Sequence, residues 1–142
     1  MLACVCVVVI GWATALTVID VRRQRLPNSL TGPGAVVILA AAATCGRGLP
    51  ALAGALCLSA LYLMVHLAAH AAMGAGDVKL AVGLGALTGA LGVDVWALAA
   101  LGAPLLTAIA GVVAALRRRR TTVPHGPSMC IASLAAAALA VF

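Results

Sequence analysis

Charge in this 142-residue chain is confined to the gaps between long apolar runs. Only 8% of the residues are charged and 65% are hydrophobic, with a mean hydropathy of +1.20. A soluble domain carries about 25% charged residues, so this chain cannot cover a water-facing surface. In lipid every backbone polar group must be satisfied within the protein, and for apolar runs of this length that requires helices. The sequence therefore predicts an all-α, polytopic membrane helix bundle forming one domain over residues 1–142. A span takes roughly 20 apolar residues, which leaves room for about six. The runs predict helices over approximately 1–19, 31–45, 49–72, 79–92, 95–116 and 124–142. The second and fourth are short for a full crossing, so they are expected to be buried by neighbours, to meet a thinned bilayer, or to extend further. The breaks carry turn chemistry, including Gly46 to Pro50, Gly74 to Asp77 and Gly92-Val-Asp94.

The formal net charge of +6 raises the question of nucleic acid, but the basic residues form no stripe. Arg22, Arg23 and Arg25 follow one apolar run, and Arg117 to Arg120 follow another, which is the placement of topology-setting charge. The first, third and fifth gaps hold eight of the nine basic residues, and only Arg47 falls in the others. The basic side is expected to be cytoplasmic, with both termini outside, and the arginines to meet anionic lipid headgroups. No nucleic-acid partner is expected. The first run lacks a basic segment ahead of it, so it reads as a retained span and not a cleaved leader. The five cysteines form no C-x-x-C pair and predict neither a disulfide framework nor a zinc site.

Against this background the acids stand out. The chain has three, Asp20, Asp77 and Asp94, and no glutamate. An ionisable residue within reach of the membrane marks a functional site by default. By the charge-derived topology Asp20 closes the first helix and Asp77 opens the fourth on the same, cytoplasmic side, while Asp94 falls on the other. Two adjacent carboxylates share a proton, because ionising both is costly. One can then take a proton from water while the other gives one to a carbonyl, without metal or cofactor. The plainer reading of each aspartate is a charge-balanced helix end.

Neighbouring residues are candidates for shaping such a site. Gly74 and Gly76 permit unusual backbone angles and close approach of a substrate. Lys79 lies two residues from Asp77, off its helical face, and reads as an interfacial anchor. Pro27 and Asn28 are expected to end one segment and cap the next. Gly85 and Gly89 form a small-xxx-small pattern that lets helices pack closely. His66 and His70 share a helix face at zinc-ligating spacing, but a metalloprotease needs Glu after the first His and Leu67 stands there, so no metal is expected. Ser59, Ser128 and Ser133 have no matched base for serine catalysis.

Three segments carry a family resemblance. Gly74-Ala-Gly-Asp77-Val-Lys79 resembles the G-x-G-D-x-K signature of type IV prepilin peptidases. Asp20, followed after six residues by Pro27-Asn28, resembles the family's other aspartate motif. Pro124-His-Gly-Pro127 is similar to its P-x-G-P element, with His125 where an aromatic is usual. The order of the segments and the number of spans agree over nearly the whole chain. The resemblance implies a polytopic aspartic endopeptidase that removes the leader of prepilin-like precursors at the cytoplasmic face, with Asp20 and Asp77 as the catalytic pair. The chain lacks the paired C-x-x-C region of the larger, methylating members and resembles the short, peptidase-only forms associated with Flp-type pili. Two other classes fit the composition: a non-enzymatic membrane protein (a transporter subunit or pilus-assembly scaffold), and a G-x-G-D protease that cuts within spans.

Overall fold

The computed structural model describes residues 2–23, 26–69, 74–117 and 125–141. Arg25, His70, Met73, Arg118 to Arg120 and Pro124 lie outside them, as do the side chains of Cys4 and Cys6. The described residues form six helices: α1 (Leu2–Arg23), α2 (Asn28–Thr44), α3 (Gly48–Ala68), α4 (Ala75–Leu91), α5 (Val93–Leu116) and α6 (Gly126–Val141). The fold is an all-helical bundle of membrane character, and α3 and α5 are each long and apolar enough to cross a bilayer.

Side-chain size is sorted in the manner of lipid-facing bundles. Large apolar residues point outward, among them Leu56, Met64, Leu67, Leu101 and Leu105. Much of the core is alanine: Ala13, Ala51, Ala55, Ala81, Ala86 and Ala103 are all buried. Lipid is as apolar as leucine, so helices associate through close packing, and small residues permit it. Buried hydroxyls bond back along their own helices, as when Thr88 donates to the Leu84 carbonyl at 2.8 Å.

α4 is the central helix and packs against α2, α3, α5 and α6. Its interface with α3 is built on glycine. A Cβ on Gly89 would lie 2.6 Å from the Pro50 carbonyl oxygen and 2.9 Å from the Gly54 Cα, so the small-xxx-small pair does set the packing distance. That burial also accounts for the short fourth run, which begins four residues earlier than its apolar stretch. Two tryptophans lock further helices in place. Trp12 of α1 donates to the Leu30 carbonyl at 2.9 Å, with its ring against Gly34 of α2 and Gly83 of α4. Trp96 of α5 donates to the Gly54 carbonyl at 3.1 Å.

α4 ends at Gly92, whose φ of 139° is a conformation that side chains rarely allow, and α5 starts at the next residue. Asp94 is thus in the first turn of α5 and not in a loop. A helix N-terminus favours a negative charge. Asp77 and Leu91 lie at opposite ends of α4, about 21 Å apart at 1.5 Å per residue, and Asp94 follows at the Leu91 end, so the two cannot meet.

Candidate active site

α1 runs one turn further than its apolar stretch, through Arg23. Arg22 and Arg23 stay exposed on that turn, while Asp20 turns inward and is 7% exposed. What covers Asp20 is the start of α6: the Gly126 backbone amide sits against its carboxylate. A Cβ on Gly126 would fall 2.5 Å from Asp20 Oδ2 and 3.1 Å from its Cγ, so only glycine fits.

Asp77 is the third residue of α4, not a residue ahead of it, and is 8% exposed. The Gly74 N–H donates to Asp77 Oδ2 at 3.2 Å, and the Asp77 N–H donates back to the Gly74 carbonyl at 3.1 Å. The carboxylate therefore does the work of a helix cap, which also fixes its direction.

The two acids come from helices that do not pack backbone to backbone among the described residues, and α6 lies against both. The charge on Asp20 acts on Asp77. Cys130 of α6 is buried and bonded to the Thr17 hydroxyl, within electrostatic reach of both carboxylates. Such a pair can hold a proton and polarise a water from two sides.

The site-shaping candidates are brought together, but not in the roles their sequence suggests. Pro27 is the N-cap of α2, and Asn28 caps nothing: its Oδ1 accepts from Lys79 Nζ at 2.7 Å. Asn28 belongs to the segment after Asp20 and Lys79 to the segment of Asp77, so this bond ties the two polar segments together. Gly74 has φ −76° and ψ 149°, angles open to any residue. Gly76 supplies space: a Cβ there would lie 3.2 Å from that of Leu26, which again joins the two segments. Lys79→Met should leave the helices intact, since it keeps the aliphatic stem. It should lower activity by about tenfold or more, because misplaced catalytic groups lose rate steeply. Comparing circular dichroism with turnover checks both halves.

Antiparallel packing of α3 on α4 sets Leu58 against Gly85. One turn on, Tyr62 is level with Ala81, and the next turn brings His66 level with Asp77, where its charge acts on that carboxylate. Tyr62 and Asp77 are likewise within electrostatic reach. Tyr62, 4% exposed, meets His125 from the segment before α6. His125 Nδ1 is 2.6 Å from Thr107 Oγ1, and Nε2 is 3.1 Å from the Tyr62 hydroxyl.

Tyr62 and Thr107 were not singled out by the sequence reading, and Gly126 entered it only as part of the Pro124–Pro127 element. Tyr62 did carry a signal, being the only tyrosine in the chain. A phenol inside an apolar run needs a partner when buried.

No curated protein and no solved structure matches the chain. The family model that does match covers residues 7–141 and takes in both aspartates and every side chain described above, so the chain belongs to the type IV leader peptidase family.

Proposed function

We propose that the protein is a membrane aspartic endopeptidase that removes the leader of type IV prepilin-like precursors, such as Flp pilins or pseudopilins, with Asp20 and Asp77 as its catalytic pair. One observation carries this reading: the acids of two separate polar segments are both buried, on helices that each pack against α6, and the charge on Asp20 reaches Asp77. The family implies peptidase chemistry, and the carboxylates are the side chains of this site suited to activating water.

In the proposed reaction one aspartate takes a proton from a water molecule as the water oxygen attacks the scissile carbonyl. The other, protonated, gives its proton to the carbonyl oxygen, and the tetrahedral intermediate forms without a formal negative charge. Collapse breaks the C–N bond, with the first aspartate returning its proton to the departing amine. The carbonyl C=O re-forms as its hydroxyl proton goes back to the second, and the pair is restored.

The substrate would be a small protein with a short polar leader followed by an apolar helix that lies against the bundle. Eight of the nine basic residues fall in the first, third and fifth gaps, and the first and third of these also hold the two aspartates, which favours the cytoplasmic face of the cell membrane for the site and six crossings for the chain. Co-expression with a prepilin-like protein encoded near the gene tests the proposal. A shift of the precursor to the size of its leaderless form is expected. A cut inside the apolar helix, or proton-coupled transport with no cut, would overturn it.

A further inference from the structure

The Thr107–His125–Tyr62 contacts take a direction from the bond that Thr107 makes to its own helix. The Thr107 hydroxyl is a donor to the Ala103 carbonyl at 3.0 Å, which uses its single proton. With its proton on that bond, Thr107 Oγ1 accepts from His125, and Nδ1 carries the hydrogen. In that neutral tautomer Nε2 is bare, and the Tyr62 hydroxyl donates to it. The chain of bonds runs from α3 through His125 to α5. The Tyr62 and His125 rings also pack, with centroids 5.5 Å apart and planes tilted by 42°.

His125 is thus gripped at both nitrogens by two different helices, and the next residue is Gly126. The His125 carbonyl also accepts from the Met129 N–H at 3.1 Å, so it belongs to the first turn of α6. The Gly126 amide in that turn covers Asp20. The other end of the chain, Tyr62, lies one turn of α3 from His66, beside Asp77.

We infer that His125 is a positioning residue of the aspartate pair: as the Nδ1–H tautomer, clamped between Thr107 and Tyr62, it sets the first turn of α6 so that the Gly126 amide meets Asp20. The inference rests on the reading of Asp20 and Asp77 as the catalytic pair. His125 does not itself touch the reacting atoms. At this position a purely aromatic side chain could stack on Tyr62 but could not hold α5.

The test has one arm that needs no activity. The ¹⁵N spectrum of the histidine-labelled chain in detergent or bicelles reports the tautomer, with His125→Phe identifying the resonance among three histidines. Hydrogen on Nδ1 is expected, and hydrogen on Nε2 would overturn the clamp. Thr107→Val removes the Nδ1 acceptor and should move the hydrogen to Nε2; no change in the spectrum would count against it. In the cleavage arm, Thr107→Val and His125→Phe should lower kcat by about tenfold to a hundredfold, the scale of a small misplacement, with KM little changed. Thr107→Ser, which keeps the hydroxyl, should restore kcat. Wild-type kcat in Thr107→Val and His125→Phe would overturn the positioning role, as would a loss confined to KM. If the wild-type chain shows the Nδ1–H signal yet cleaves no prepilin-like precursor, the clamp stands, the peptidase reading falls, and the role given to His125 falls with it.

Discussion

Asp77→Asn is expected to stop leader removal while leaving a folded, membrane-inserted protein, and Asp20→Asn to do the same. Asparagine is nearly isosteric with aspartate and retains a carbonyl oxygen. In Asp77→Asn that oxygen can still accept the Gly74 N–H, so the start of α4 is kept. In Asp20→Asn it can still meet the Gly126 amide. What each variant loses is the ability to take up and release a proton. General acid–base catalysis is worth on the order of 10²–10⁴-fold, and each single loss should approach that size. The two groups act on one water, so the double variant should be little worse than either single one. Asp94→Asn should cleave at the wild-type rate, because that residue sits in the first turn of α5, at the far end of the bundle. The ratio of precursor to mature product on a gel, with membrane extraction as the folding control, reads all four variants. Processing by Asp77→Asn at the normal rate would end the peptidase proposal.

Gly85→Leu is expected to break the bundle. Its Cβ alone would sit 2.5 Å from the Gly54 carbonyl oxygen, 2.9 Å from the Leu58 Cβ and 3.0 Å from the Ala55 Cα. Overpacking a core typically costs about 1–3 kcal/mol when side chains can shift aside. Here two of the three obstacles are backbone, so α3 and α4 must separate and the cost should reach or exceed the top of that range. The displaced α3 would carry Tyr62 and His66 away from Asp77, so activity should go with stability. Gly111→Leu is the control, because nothing lies within 4 Å of a Cβ at that position. Thermal unfolding in detergent should show a large drop for Gly85→Leu and almost none for Gly111→Leu. Equal midpoints would mean that the α3–α4 contact does not hold the bundle together.

Much of this protein could be read before its structure. All six helices lie where the apolar runs put them, because an apolar segment in lipid has no other way to satisfy its backbone. Gly92 marks a break through its own backbone freedom, which is local information. The polar segments around Asp20 and Asp77 were visible because charge is so rare elsewhere. Helix ends were less legible. α1 continues through Arg22 and Arg23, since a helix can outrun the hydrocarbon layer once its side chains reach water. Asn28 was misread as a cap because capping is judged from neighbours in sequence, whereas its partner, Lys79, lies 51 residues away. Gly76 was credited with backbone freedom, and its use is room for Leu26.

The sequence by itself determined the membrane character, the six helices and the positions of the acids along them. Only the tertiary structure decided that α6 would pack against both α1 and α4, that Gly126 would close over Asp20, and that His125 would bridge α3 and α5. The reason lies in the solvent. Lipid dictates each helix separately but is no worse a neighbour for an apolar face than another helix is. The choice of partners therefore falls to the fit of small residues and a handful of polar bonds, and those contacts join positions that are far apart in the chain.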